Sequence, residues 1–277
     1  MKSRWFRTFL VAMLIISVGS AHGIAQEKKV TLATLEWEPY IGSGIPRYGL
    51  TAEIVTEAFK RTGYTVEIKF YSWTEALKLG EAGQVDGIFP AYHSKSREKH
   101  FAFSEPFADS PSGFYKKSTA VAGPNISQLK RSDENIIFPA DPRVDQAKVL
   151  SMMKQYTFGV VTGYVNTPEF DAATYLKKVK AASDEENLRN LINGRVDLIF
   201  IDRFVAKNII VKKFPWHLQD YEFMQPPLAI KPLFIGFSKK SADHEQKLND
   251  FNRGLEVVKA DGLLKRLTEK YGLKSRF

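Results

Sequence analysis

The chain of 277 residues contains no cysteine. That absence excludes disulfides, thiolate metal sites, iron–sulfur clusters and cysteine nucleophiles. Long apolar runs are missing as well. The most apolar stretch, residues 9–18 (FLVAMLIISV), is about half of the ~20 residues that a membrane-spanning helix needs. The formal charge is +9, yet no block of five or six basic residues occurs. Lysines and arginines are spread along the chain, so no nucleic-acid partner is expected. The histidines His22, His93, His100, His217 and His244 fall into no HExxH or similar metal spacing, and no metal or other cofactor is expected. GxSxG, GxGxxG and P-loop patterns are absent. Ser-x-x-Lys occurs at Ser96, Ser127 and Ser151, each time without the partner motifs that give it catalytic meaning.

What is present reads as an exported globular protein. The chain is 44% hydrophobic and 26% charged, an ordinary soluble composition, and its length suits two domains. Aromatic residues make up 13%, enough to furnish a ligand site as well as cores. Lys2, Arg4 and Arg7 precede the short apolar run, and Gly19, Ser20, Ala21, Gly23 and Ala25 follow it. This order matches the basic, apolar and small-residue regions of a secretory signal peptide over residues 1–25. An uncleaved membrane anchor is the alternative. Cleavage after Gly23 or Ala25 leaves a soluble exported protein, periplasmic in a host with two membranes.

An internal repeat organises the rest. Residues 72–89 (SWTEALKLGEAGQVDGIF) and 183–200 (SDEENLRNLINGRVDLIF) align without a gap at an offset of 111, with eight of eighteen positions identical. Ser72 with Glu75, and Ser183 with Glu186, form capping boxes that open helices. Gly83 and Gly194 stand where such helices end. An apolar, β-prone run follows each, of the kind buried on both faces of a parallel sheet. Asp86 and Asp197, at the starts of these runs, read as structural. Further strands are expected over 30–35, 64–70 and 157–161, with helices over 51–61, 202–212, 242–259 and 261–271. Thr167 with Pro168 signals another helix, running to about Lys178. Residues 120–156 show no firm period and read as the connection between two lobes followed by an irregular insertion. Alternating strands and helices give α/β lobes with mostly parallel sheets.

Laid out in order, several short motifs carry a resemblance. Trp37-Glu38-Pro39-Tyr40 follows the first strand, Tyr71-Ser72-Trp73 precedes the second helix, and Ser94-Lys95-Ser96-Arg97-Glu98 leads into Phe103-Ser104-Glu105-Pro106-Phe107. Residues 196–202 (VDLIFID) and the closing Tyr271-Gly272 complete the set. The chain resembles the family 3 extracellular solute-binding proteins, the amino-acid-binding type that serves ABC importers, from about Lys29 to Gly272. The resemblance implies a periplasmic-binding-protein-like type II fold: two α/β lobes joined by two crossover strands, with a ligand cleft between them. Lobe one is then 27–117 plus 232–277, and lobe two is 118–231.

The resemblance also assigns a site. Arg97 matches the arginine that grips a ligand carboxylate, a task suited to its planar, permanently charged fork. Asp202 matches the aspartate that holds the ligand ammonium, and it also reads as an N-cap for the following helix. Trp37 and Trp73 match aromatic positions that flank the ligand, with core packing as the alternative. Pro90 and Tyr92 stand where relatives offer backbone and hydroxyl contacts, often from glycine and threonine or serine. Thr162 and Tyr164 belong to a loop, TGYV, that donates to the carboxylate, and relatives usually carry a smaller residue at Tyr164. These bulky substitutions depart from an ordinary amino-acid site. The expectation is a monomer that closes on a small, amino-acid-like ligand, passes it to the membrane component of an ABC importer and performs no chemistry. Two alternatives remain on the same fold: a ligand-sensing partner of a membrane receptor, and a cyclohexadienyl-dehydratase-like enzyme using Glu36 and Glu105 as acids.

Overall fold

A computed structural model describes residues 28–118 and 145–273. The signal-peptide reading of 1–25, and most of the segment 120–156, lie outside the described residues. No described helix is long and apolar enough to cross a membrane.

Ten described strands form one continuous, twice-organised sheet. In the first lobe, β1 (Lys28–Thr34), β2 (Tyr64–Phe70) and β3 (Gly87–Ala91) run parallel in the order β2-β1-β3. In the second, β6 (Thr157–Val161), β7 (Lys177–Ala181) and β8 (Leu198–Asp202) run parallel with β6 central. Two long strands join these halves, β5 (Ala108–Lys117) and β10 (Ala229–Ser238). They pair antiparallel with one another from Ala229↔Ser112 to Leu233↔Ala108. Beyond that crossing, β10 pairs with β3 and the short β4 (Phe101–Phe103), while β5 pairs with β8 and β9 (Tyr221–Phe223). The molecule is therefore two α/β lobes linked by crossover strands, a type II periplasmic-binding-protein fold. The expected parallel order holds within each lobe; antiparallel pairs enter through the crossover strands and their short neighbours.

Helices α1 (Leu50–Arg61), α2 (Trp73–Ala82), α7 (His244–Ala260) and α8 (Leu263–Lys270) belong to the first lobe, whose core includes Phe59, Phe237 and Phe251. Helices α3 (Gln146–Ser151), α4 (Pro168–Ala172), α5 (Asp184–Ile192) and α6 (Arg203–Lys213) cover the second. Its core is a phenylalanine cluster in which Phe170 stacks on Phe200 and Phe114 packs against Phe158. Much of the aromatic content is thus structural.

The repeat reappears atom by atom. Ser72 accepts the Glu75 N–H at 3.3 Å and Ser183 the Glu186 N–H at 3.2 Å. Gly83 and Gly194 both take the left-handed conformation, φ 77° and 68°, that a side chain disfavours. Asp86 Oδ2 accepts from Thr31 N and Asp197 Oδ2 from Thr157 N, each at 2.7 Å. Asp86 holds the middle of β1 and Asp197 the start of β6, so each ties its turn to the neighbouring strand, in line with the structural reading of both.

Two helices differ from expectation: α3 (Gln146–Ser151) falls in the segment 120–156 that read as irregular, capped by Asp145, and α4 is shorter than expected. Thr167 does cap α4, but the helix stops at Ala172 rather than near Lys178. Lys177–Ala181 instead forms the outer strand of its sheet. Its lysines suit an edge that must avoid pairing with other chains, and they hide the apolar alternation of a strand. Lys178 turns back to donate to the Phe170 and Asp171 carbonyls, which closes the helix C-terminus.

Candidate functional site

The two lobes point the C-terminal ends of their parallel strands at the crossover, where open α/β sheets bind ligands. The cleft floor is the β5–β10 crossing. Lobe one contributes Trp37 and Tyr40 after β1, Trp73 at the first turn of α2, Pro90 at the end of β3, Tyr92 beyond it, and Arg97. Lobe two contributes the loop at 162–166, Asp184 at the first turn of α5, and Asp202 at the end of β8.

These side chains meet across the cleft. Trp37 Nε1 donates to Asp184 Oδ2 at 3.1 Å, and Tyr164 OH to the same oxygen at 3.0 Å. The Tyr40 hydroxyl lies 3.0 Å from Asp202 Oδ2. Trp73 Nε1 and Arg97 Nη2 both donate to the Gly163 carbonyl, at 3.1 and 2.8 Å. Arg97 Nη1 donates to the Tyr92 carbonyl at 2.7 Å, and the guanidinium lies 5.3 Å from the Trp73 ring. On the floor, Lys231 Nζ donates to the Val165 carbonyl and sits 3.2 Å from the centre of the Tyr92 ring. At the rim, Lys212 of lobe two pairs with Glu38 of lobe one. The lobes are in contact, and the inner cleft keeps only spaces of 20 and 10 Å³ beneath an outer cavity of 540 Å³.

Burial sets the electrostatics. It pushes the Asp184 carboxyl up to about 7 against hydrogen bonds from Tyr164 and Trp37. It pushes Asp202 up to about 6 against bonds from Ser110, Tyr40 and the backbone. It lowers Arg97 to about 10 and, together with the nearby Arg97 charge, holds Lys231 well below the usual lysine range. Burial likewise raises the Tyr40, Tyr92 and Tyr164 hydroxyls. The cleft thus concentrates ionisable groups whose charged forms lack solvent, which marks it as the candidate functional site.

Of the residues singled out in the sequence, Trp37, Trp73, Pro90, Tyr92, Arg97, Tyr164 and Asp202 come together here. Asp202 is also the N-cap of α6: Oδ1 accepts the Phe204 and Val205 N–H groups, and Oδ2 the Ser110 hydroxyl. Trp37 stacks on Tyr40 with ring centres 4.7 Å apart, so its ring serves the core and the cleft together. Thr162 stands apart: its side chain is exposed and its N–H bonds to Ala181 O. The loop meets Arg97 and Lys231 with its carbonyls rather than with N–H donors. Glu36 and Glu105 do not form a buried acid pair. Both are exposed; the Glu36 carboxylate holds Ser43, and Glu105 is tied to Asn252 through its backbone.

Three cleft residues escaped the sequence reading. Asp184 is the repeat counterpart of Trp73, so the 111-residue offset could have found it. Tyr40 lies inside a motif already noted. Lys231 had no signal, because the prolines around it obscured a crossover strand. Among the described residues no group of His, Cys, Asp and Glu could hold a metal ion.

Comparison with known proteins bears on the fold and the family. A curated relative, a probable ABC transporter extracellular-binding protein from Bacillus subtilis (strain 168), is 26% identical over 172 residues, 60% of this chain. The chain spans about half of that relative's length, with 50% of it covered. Among solved structures, a histidine kinase sensor domain with similarity to periplasmic binding proteins matches with a TM-score of 0.69 at 17% identity, covering 90% of this chain and 99% of that one. A mutant of ArgBP from T. maritima matches with a TM-score of 0.66 at 17% identity, covering 88% and 95%. At such identities the structural matches establish the fold alone. The model of the bacterial extracellular solute-binding proteins, family 3, matches residues 39–274, so the chain belongs to that family.

Proposed function

We propose that this protein captures an amino-acid-like solute by closing its two lobes and delivers it to an ABC importer. The observation that carries this reading is Arg97. The residue is only 7% exposed, and its guanidinium lies between the lobes and bonds to two backbone carbonyls, which leaves donors for a carboxylate. A buried cation without a counter-ion is costly, and an anionic ligand removes that cost. Trp37, Trp73, Pro90, Tyr92 and Tyr164 shape the pocket around the ligand, with Asp202 behind them and Thr162 at the base of the contacting loop. The inner spaces of 20 and 10 Å³ hold about one water each at most, so entry requires the lobes to part and binding favours their return.

The same reading places the lobes at 27–117 plus 232–277 and at 118–231, hinged at β5 and β10. It makes residues 1–25 a signal peptide, the mature protein a periplasmic monomer, and the importer's membrane component its partner. Thermal unfolding of the protein against a panel of amino acids, amines and small carboxylates tests the central point. A ligand at a hundredfold above its dissociation constant stabilises by ~2.7 kcal/mol. Arg97→Ala is expected to abolish that shift while leaving the unliganded protein folded. A carboxylate ligand that still binds the variant with unchanged affinity contradicts the assignment.

A further inference from the structure

The cleft buries two basic side chains, one more than a single ligand carboxylate would pair. Lys231 is 9% exposed and Arg97 7%. Lys231 bonds to the Val165 carbonyl and faces the Tyr92 ring; Arg97 bonds to the Tyr92 and Gly163 carbonyls. Among the described residues neither forms an ion pair. Asp171 and Asp202 favour the Lys231 charge only through space, while Arg97 opposes it. An ammonium has three donors and a guanidinium five, so both cations keep unused capacity. They grip carbonyls two residues apart on one loop, which puts them side by side along the cleft. Lys231 also lies on the crossover strand β10, in register with Ser110 of β5, so it belongs to the hinge-side floor rather than to a wall.

The acids are not equivalent either. Both oxygens of Asp202 are taken by Tyr40, Ser110 and the Phe204 and Val205 N–H groups. Asp184 shares one oxygen between Trp37 and Tyr164, and its buried Oδ1 has no partner.

We propose that Lys231 is a second anion-binding residue that makes the cleft selective for amino acids carrying a second acidic group. Arg97 takes one carboxylate, Lys231 the other, and Asp184 Oδ1 accepts from the ammonium. This rests on the cleft being the ligand site. A neutral side chain leaves Lys231 buried without an anion, and a basic one meets two cations, so both are rejected by repulsion or desolvation.

Calorimetric titration of the full chain with L-glutamate, L-aspartate, L-glutamine, L-asparagine, L-arginine and glutarate tests it. An acidic amino acid is expected to bind at least about tenfold more tightly than its amide, as a buried charge pair allows. Glutarate, without the ammonium, is expected to bind more weakly than glutamate. Lys231→Met is expected to erase the preference for acid over amide by weakening the acid alone, and Lys231→Arg, with the charge kept, to retain it. Thermal unfolding checks that both variants fold. An amide or arginine that binds as tightly as the acids, glutarate that matches glutamate, or a preference that survives in Lys231→Met overturns the proposal. Amides that bind through Arg97 with no acidic preference overturn it alone. A wild-type protein that binds none of these compounds overturns the proposal, and only failure of the whole panel of amino acids, amines and small carboxylates overturns the amino-acid reading of the cleft with it.

Discussion

The two copies of the helix–turn–strand unit, residues 72–89 and 183–200, share their frame and differ at their cleft ends. Both open on a capping serine, turn on a left-handed glycine and anchor a neighbouring strand through an aspartate. At the first helical position, however, lobe one carries Trp73 and lobe two Asp184. At the last position of the strand, lobe one carries Ala91 and lobe two Asp202. Identity is kept where the fold needs it and lost where the lobes face each other. One wall is therefore aromatic and cationic, the other acidic, and the difference between the copies suits a ligand with charges of both signs.

That asymmetry can be probed first through pH. The closed cleft holds Asp184 at about 7 and Asp202 at about 6 because burial disfavours their charged forms. Groups facing Asp184 are Trp37, Tyr164 and, through space, Tyr92 and the Asp202 charge. An open cleft rehydrates both carboxyls and returns them toward the ordinary range near 4. The closed, unliganded form thus binds more protons than the open one between roughly pH 4 and 7. Its advantage is full at the acid end and declines as pH rises through about 7, by an amount on the order of a few kcal/mol. Small-angle scattering across this range is expected to show opening as pH rises, and Asp184→Asn to flatten most of the response. A scattering profile independent of pH contradicts the desolvated-acid account. No equivalent response is expected from Trp73→Phe, which alters the matching position of lobe one.

The shared frame can be broken next. Asp86 holds the Thr31 N–H and also receives Ser241 and Lys247 from the C-terminal part of the chain, whereas Asp197 holds Thr157 and is exposed. Asp86→Ala is expected to cost about 2–3 kcal/mol and Asp197→Ala about 1 kcal/mol or less, because water can replace the exposed carboxylate. Denaturant unfolding ranks the two, and equal losses contradict the ranking. The smallest effects belong to the caps. Ser72→Ala and Ser183→Ala are expected to cost ~1 kcal/mol each, measured in the same way.

Much of this architecture was legible because it rests on local rules. Capping boxes, terminal glycines and buried apolar runs located both copies of the repeat, and Tyr64–Phe70 and Thr157–Val161 were read to the residue. The failures have a common cause. The start of Lys177–Ala181 reads as part of the preceding helix, to about Lys178, because its edge position filled it with lysine, and β10 was missed because its role comes from pairing with β5 and β3 far away in sequence. The candidate site was legible on one side: Arg97 and the tryptophans stood in motifs and Asp184 was within reach of the repeat offset, while Lys231 acquires meaning only when the lobes meet. The Asp202 N-cap was readable from its place before a helix, but its bonds to Tyr40 and Ser110 depend on contacts across 162 and 92 residues.

The central claim is that the lobes close on a ligand, and the absence of cysteine makes it directly measurable. Lys60 lies exposed on lobe one and Thr174 on lobe two, and Lys60→Cys with Thr174→Cys accepts a pair of spin labels and no others. Distance distributions recorded with and without a saturating amino-acid ligand are expected to differ: a narrow, short distance when bound, and a broader distribution extending to longer distances when free. Identical distributions in both states, under conditions where binding is confirmed by calorimetry, contradict closure as the mechanism.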